Sequence, residues 1–369
     1  MERAVARIDF DAIRANCARL KAELGQGSEL CAVVKADGYG HGADGAAAAA
    51  IAGGATRLAV ATATEAEGVG RRFPHLPLLT MGALTPAEVD AVISAGSEVA
   101  LWRDGFRQAL SDRARAHGHP VRVHVKYDSG MGRLGNSEAD EVLALVRACA
   151  ADPDLELAGF WTHFATADEL DSDFFGEQLD RFEALAAVVK AEFPDVLVHA
   201  ANSAAVLRDR RSHFDMARCG IAIYGLDPFQ SDPAERGLSP ALSLRSYVAD
   251  VKPFPAGASA GYGRTWAAPV DTLVGVVPLG YGDGVRRALS NNAEVLVGGR
   301  RRPLVGTISM DNLTVDLGAE SEVEPGAEAV LIGAQGDDRI LAEEVAARID
   351  TINYEVTCAI SARVPRRAL

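Results

Sequence analysis

Lysine is scarce in this 369-residue chain. It stands only at positions 21, 35, 126, 190 and 252, so chemistry that needs an amine has few candidates. Lys35 and Lys126 each end an apolar run. Leu30-Cys31-Ala32-Val33-Val34 is long enough for one buried strand and too short for a buried helix. After Lys35, the glycines at 38, 40 and 42 permit positive φ and let backbone approach a bound group closely. A strand-end amine in a parallel barrel or sheet lies at the mouth, where ligands bind. The plain alternative is a surface lysine whose stem covers apolar atoms.

Other residues could join it. His163 lies in Trp161-Thr162-His163-Phe164, and Arg218 in Met216-Ala217-Arg218-Cys219-Gly220-Ile221. Singly they read as a satisfied core histidine and an ion-pair arginine. Ser203, in Ala201-Asn202-Ser203-Ala204-Ala205, and Gly220-Ile221 fall where barrels commonly bind phosphate, although Ser203 could simply cap a helix. Gly130-Met131-Gly132-Arg133-Leu134-Gly135 satisfies the G-x-G-x-x-G dinucleotide pattern, yet no acidic residue ends a following strand, since Glu156 precedes its strand. NAD is therefore not expected. His117, His119 and His124 lack partners at metal-ligand spacing and read as loop and strand surface.

Strands and helices that would position these groups alternate along the first two thirds of the chain. Expected strands run 30–35, 57–62, 76–81, 98–102, 121–126, 157–163, 197–201 and 216–224. Asp9 or Asp11 can cap a helix carrying Ile13, Cys17, Leu20 and Leu24, and Ser137 can cap one over 138–149. Eight buried strands with intervening helices predict an α/β fold with an N-terminal (β/α)8 TIM-type barrel. Past the linker-like Asp227-Pro228-Phe229-Gln230-Ser231-Asp232-Pro233 come extended runs at 242–251, 272–278, 293–297, 303–307, 313–317 and 329–333. They predict a C-terminal mainly-β domain with a partly helical stretch over 337–357. The division is 1–9, 10–228 for the barrel and 229–369 for the β domain.

Composition narrows the function. A hydrophobic content of 48% can fill two cores, and a net charge of -14 argues against nucleic-acid or anionic-membrane surfaces. The N-terminus lacks a signal-like apolar core, and the alanine-rich stretch after Gly42 is broken by Asp44 and Arg57, so no membrane span is expected. Cys17, Cys31, Cys149, Cys219 and Cys358 show no Cys-x-x-Cys pair and read as reduced thiols in a cytoplasmic protein.

Val33-Val34-Lys35-Ala36-Asp37-Gly38-Tyr39-Gly40-His41-Gly42 resembles the cofactor-lysine motif of alanine racemases. The resemblance extends, in family order, through the stretches around Lys126–Gly135, His163, Arg218, Ala260-Gly261-Tyr262-Gly263-Arg264-Thr265, Leu279-Gly280-Tyr281-Gly282-Asp283-Gly284 and Gly306-Thr307-Ile308-Ser309-Met310-Asp311-Asn312. It implies a pyridoxal 5'-phosphate enzyme interconverting L- and D-alanine by two-base proton transfer and supplying D-alanine for peptidoglycan. Lys35 would hold the cofactor as a Schiff base and act as one base. With an ordinary lysine pKa near ~10.4, that role needs desolvation or a neighbouring cation. Tyr262 would be the other base, supported by His163 and Arg218, the latter facing the pyridine nitrogen.

By the same resemblance, Arg133 reaches the cofactor and the substrate carboxylate, and Lys126 is carbamylated to hold that arginine. Tyr39, Ser203, Gly220, Ile221 and Tyr354 serve the cofactor phosphate. Tyr281 lines the substrate entrance, and the Met310 amide binds the carboxylate. The family's homodimer would bring Tyr262, Tyr281 and Met310 to the partner's site, and residues 1–9 would pack with the C-terminal domain. Three other readings are a serine-accepting racemase, a fold-related amino-acid decarboxylase with an acid against the pyridine nitrogen, and a non-catalytic cofactor carrier consisting of the barrel alone.

Overall fold

The computed structural model describes residues 2–369; Met1, the first residue of the expected N-terminal segment, lies outside them. The described chain falls into two compact units. One comprises the residues up to Ala12, Tyr39–Gly42 and Tyr224–Leu369, and the other Ile13–Gly38 with Ala43–Ile223.

After β1 (Val5–Ile8), eight parallel strands close into a barrel: β2 (Glu29–Val33), β3 (Arg57–Val60), β4 (Leu78–Thr80), β5 (Glu98–Leu101), β6 (Val121–Lys126), β7 (Leu155–Trp161), β8 (Leu197–His199) and β9 (Met216–Cys219). Closure pairs β2 with β9, Cys31 opposite Arg218. Helices between the strands bury one stripe each. The longest, Phe174–Glu192, buries Phe175, Leu179, Phe182, Leu185 and Val189 at helical spacing, and Phe160 stacks on Phe182 with centroids 5.3 Å apart. Each such side chain contributes about 1.5–3 kcal/mol on burial. Asp9 caps the first helix, its carboxylate accepting from the Ala12 amide at 2.9 Å.

The other unit is built on a ten-stranded sheet. Its path runs β11 (Asp250–Phe254), β14 (Thr272–Val277), β17 (Leu313–Asp316), β16 (Arg300–Val305), β15 (Glu294–Val297), β18 (Glu328–Gln335), β10 (Leu242–Tyr247), β1 and β20 (Arg366–Ala368), with β19 (Asp338–Ile340) on β18. A separate pair joins β12 (Ser259–Ala260) to β13 (Trp266–Ala267). β1 pairs antiparallel with β10 and parallel with β20.

Several expected elements are corrected. The run 216–224 is a strand only to Cys219 and then a 3-10 turn over Ile221–Tyr224, because the Ser203 hydroxyl takes the amides of Gly220 and Ala222 out of the ladder. The run 242–251 is two strands: the Val248 amide turns to the Ala327 carbonyl and the Ala249 amide to that of Val276, so the chain changes partners there. Ser137 caps nothing. Its hydroxyl donates to Glu138, and the Glu138 amide goes to Asn136. His124 is not on the surface but fully buried inside the barrel. Among the described residues, no helix is long and apolar enough to cross a membrane.

Candidate active site

Barrel strand β6 shows how the interior is made. Val121, Val123 and Val125 occupy one face, and Arg122, His124 and Lys126 the other, so the period of two divides apolar from polar nitrogen-bearing residues. Lys126 ends the strand at the mouth. Its Nζ is buried without a hydrogen-bond partner, 4.9 Å from the centroid of the Trp161 ring. Burial lowers this amine to about 8; Asp128 opposes the shift, while the positive charges of Arg218 and Arg133 add to it.

Arg218, from β9, also lies against Trp161, its guanidinium carbon 4.7 Å from the ring centroid. NH1 bonds Nδ1 of His199 at 2.7 Å, while NH2 donates to the Thr162 carbonyl at 2.8 Å and the Ala200 carbonyl at 3.0 Å. NH2 also reaches Nδ1 of His163 at 3.4 Å. Burial brings Arg218 down to about 10, which leaves it charged at neutral pH. His163, just past β7 and half-buried, is held well below the ordinary histidine range by burial, then by the charges of Arg218, Arg133, Lys126 and Lys35. The mouth thus pairs a permanent cation with a neutral imidazole.

Lys35 is half-buried, two residues beyond the end of β2. The chain then makes a left-handed turn, with φ of 51° at Ala36, 51° at Asp37, 62° at Gly38 and 54° at Tyr39. Three of these are not glycine, and such a conformation costs an L-residue about 1–2 kcal/mol. Three hydrogen bonds hold it: Ala36 amide to Glu65 at 2.7 Å, Gly38 amide to the Val34 carbonyl at 2.9 Å, and Ala43 amide to Asp37 at 2.9 Å. Glu65 is itself fixed in a capping box with Thr62. Strain retained just after a strand-end amine is the pattern of a functional turn.

The loop carrying Arg133 is folded around Asp128, whose carboxylate accepts from the amides of Gly130 at 3.0 Å, Met131 at 2.6 Å and Arg133 at 3.2 Å. Its glycines shape this loop and open no helix, the next one beginning only at Ala139. The Arg133 side chain is exposed. Ser203 is not the cap of its helix, because Asn202 takes that job through the Ala205 amide. The buried Ser203 hydroxyl instead gathers the amides of Gly220 at 3.1 Å and Ala222 at 3.3 Å, beside the buried Ile221. Both N–H groups point at that one oxygen, which keeps its own proton to donate.

In the other unit, Tyr39 lies 6.0 Å from Tyr354 and 5.0 Å from Tyr224 between ring centroids. Tyr262, Tyr281 and Met310 are exposed, at 74%, 45% and 52%. Backbone contacts gather them. The Tyr281 amide bonds the Ser309 carbonyl at 3.0 Å and that of Gly282 the Met310 carbonyl at 2.9 Å, while a Cβ on Gly261 would lie 2.9 Å from the Thr307 amide. Asp283, salt-bridged to Arg3, fixes the Tyr281 turn through the Gly280 amide. Tyr281 and Met310 are thus backbone neighbours, and Tyr262 follows a glycine packed on the loop that leads to Met310, with all three side chains exposed.

Apart from Trp161, the groups behind Arg218 lie outside every motif that points to the site. Trp161 stands only as part of a motif, His199 and Glu98 carry no signal of their own, and His124 reads as surface. The alternation in β6 was the available signal, since a barrel strand with one face of nitrogen donors must meet acceptors inside.

Matches to known proteins agree with this architecture. The family model described as "Alanine racemase, N-terminal domain" matches residues 8–228, and "Alanine racemase, C-terminal domain" matches 241–368. A relative named alanine racemase from Symbiobacterium thermophilum is 42% identical over 362 residues, 98% of this chain and 96% of its own. "Alanine racemase 1" of Bacillus subtilis is 40% identical over 368 residues, 99% of this chain and 92% of its own. Among solved structures, the alanine racemase from Streptomyces coelicolor superimposes with a TM-score of 0.94 at 38% identity, covering 99% of this chain and 98% of that one. The one from E. faecalis gives 0.93 at 36%, covering 100% and 98%. With both domains matched in order and relatives aligned from end to end, the chain belongs to the alanine racemase family.

Proposed function

We propose that this chain interconverts L- and D-alanine with pyridoxal 5'-phosphate held on Lys35, in a homodimer whose sites draw residues from both copies. The observation that carries the reading is the barrel mouth: a charged guanidinium touching a neutral imidazole, beside a buried amine without a hydrogen-bond partner. Among the described residues, none of the hydrogen bonds of Arg218 goes to a carboxylate. A decarboxylase of related fold would need an acid there.

The donor set suits the cofactor. The Ser203 hydroxyl proton suits a phosphate, which would also take over the Gly220 and Ala222 amides that donate to Ser203, and the resemblance adds Ile221, Tyr39 and Tyr354 to that role. Arg218 suits the ring nitrogen, as NH1 and NH2 are engaged and Nε keeps its donor. When bound, pyridoxal phosphate supplies the electron sink that makes an amino acid's α-proton removable.

The chain's own groups do the rest. Lys35 Nζ takes or returns the α-proton on one face. Tyr262 Oη of a second copy does so on the other. His163 accepts from Arg218 at Nδ1, which leaves Nε2–H to donate to that phenol and ease its ionisation. Arg133 binds the substrate carboxylate with its planar fork, joined by the Met310 amide of the second copy, while Tyr281 narrows the entrance. Lys126, as a neutral amine, takes up carbon dioxide: Nζ bonds the carbon, a proton leaves, and the resulting anion pairs with Arg133. The product enantiomer would serve peptidoglycan synthesis in the cytoplasm.

A visible spectrum of the purified protein, borohydride reduction and peptide mapping test the cofactor assignment. A reduced label on Lys35 is expected, and a label elsewhere or none rejects it. A chiral assay then compares alanine with serine, and serine turnover equal to that of alanine would favour the broad-specificity reading.

A further inference from the structure

Behind Arg218 a row of buried side chains crosses the barrel to the opposite end of its strands. NH1 of Arg218 meets Nδ1 of His199 at 2.7 Å, Nε2 of His199 meets Nδ1 of His124 at 2.8 Å, and Nε2 of His124 meets Oε2 of Glu98 at 2.7 Å. Both imidazoles are fully buried. Glu98 opens β5, where Arg57 and Arg122 also contact its carboxylate at 3.1 Å and 2.8 Å; Arg57 in turn reaches Glu29 at 2.8 Å.

The ends of this row dictate its protons. A guanidinium only donates and an ionised carboxylate only accepts. His199 must therefore present a lone pair at Nδ1, and His124 a proton at Nε2. The middle bond then closes in one way, with His199 Nε2–H donating to His124 Nδ1. A proton added to either ring would set two donors face to face. Burial, ahead of the charges of Arg218 and Arg57, keeps His199 well below the ordinary range, and burial likewise lowers His124 against the pull of Glu98. Glu98 is held at about 2: burial opposes its charge, but the His124 hydrogen bond and the charges of Arg57 and Arg122 outweigh that.

Space has been cleared for the row. A Cβ on Gly159, opposite His124 in the sheet, would lie 2.0 Å from His124 Nδ1. The Trp161 ring stacks on His199 at 5.6 Å and 8°, fixing the second imidazole in plane.

We propose that Glu98 is a positioning residue for the racemase reaction: through His124 and His199, both neutral Nε2–H tautomers, it orients the Arg218 guanidinium and sustains its charge at the mouth. The inference rests on the racemase reading for its catalytic consequence, but not for its proton assignment. A carboxylate at the far end polarises each imidazole toward the arginine, so Arg218 faces the mouth as a cation with a fixed plane.

The test combines 15N-histidine NMR on the holoenzyme with steady-state kinetics. Two histidine signals, assigned by their loss in His124→Gln and His199→Gln, should report neutral Nε2–H rings that do not titrate between about pH 6 and 9. An imidazolium or an Nδ1–H tautomer at either ring overturns the proposal, whatever the activity. Glu98→Gln should lower kcat by about tenfold or more, the scale of losing an outer supporting partner, with KM for alanine within about twofold and partial recovery in Glu98→Asp. A folded Glu98→Gln enzyme with unchanged kcat also overturns it. Wild-type protein that lacks racemase activity yet shows both tautomers would reject the function and leave the proton assignment standing.

Discussion

The amine of Lys126 lies 4.9 Å from the centre of the Trp161 ring, buried and without a hydrogen-bond partner. A buried ammonium on an aromatic face, with no hydrogen bond of its own, is poorly compensated, since such a contact contributes about 0.5–2 kcal/mol. Neutralisation or conversion to an anion relieves it. The neutral fraction grows as pH rises through about 8, well below the value for a free lysine. In 13C-bicarbonate, a carbamate carbonyl signal should therefore be weak near pH 6, strong near pH 9 and absent from Lys126→Arg. An intact-protein 13C spectrum bare of that signal throughout would reject the modification.

Tyr262 projects from its unit at 74% exposure, in keeping with use by a second copy. Lys35→Ala and Tyr262→Ala should each lose about 10²–10⁴-fold in activity, as expected for removal of an acid-base group. Mixed under conditions of proven subunit exchange, they should recover about a quarter of wild-type activity, because half of the dimers are hybrids with one intact site each. No recovery would count against shared sites. Tyr262→Ala should also suppress solvent deuterium uptake from L-alanine far more than from D-alanine, and equal losses would reject that division of labour.

Ser203 satisfies two buried amides with one oxygen. Ser203→Ala leaves both without this acceptor and should destabilise the cofactor-free protein by about 2 kcal/mol, measured by urea unfolding. The loss should shrink when cofactor is bound, since a phosphate can take over the amides. The same loss in both states would place no phosphate there.

Gly159 gives its missing Cβ to the His124 ring. Gly159→Ala should cost about 1–3 kcal/mol through overpacking, while the same change in a His124→Ala background should cost clearly less. Additive losses in the double-mutant cycle would show that the ring is not what the glycine accommodates.

Much was legible in the chain alone. Alternating apolar runs and helical stripes specified a parallel barrel and a β domain, because burial on one or both faces leaves a period that residue order records. Lys35 stood out as a candidate because an amine after a short apolar run and before glycines falls at a strand end beside a flexible turn. Local order was less informative where tertiary partners decide it. Ser203 reads as a cap until Gly220 and Ala222 arrive from the turn after β9 to claim its hydroxyl, and 242–251 reads as one strand until its two halves find different neighbours. His124 read as surface because nothing nearby in sequence could partner it. Glu98 and His199 stand 26 and 75 residues away, and only closure of the barrel brings them within hydrogen-bond distance of the ring. Sequence thus determined which groups the protein owns and which elements carry them. The closed sheet decided which donor faces which acceptor, because hydrogen bonds and charges in a dry interior depend on distances that the order of residues does not contain.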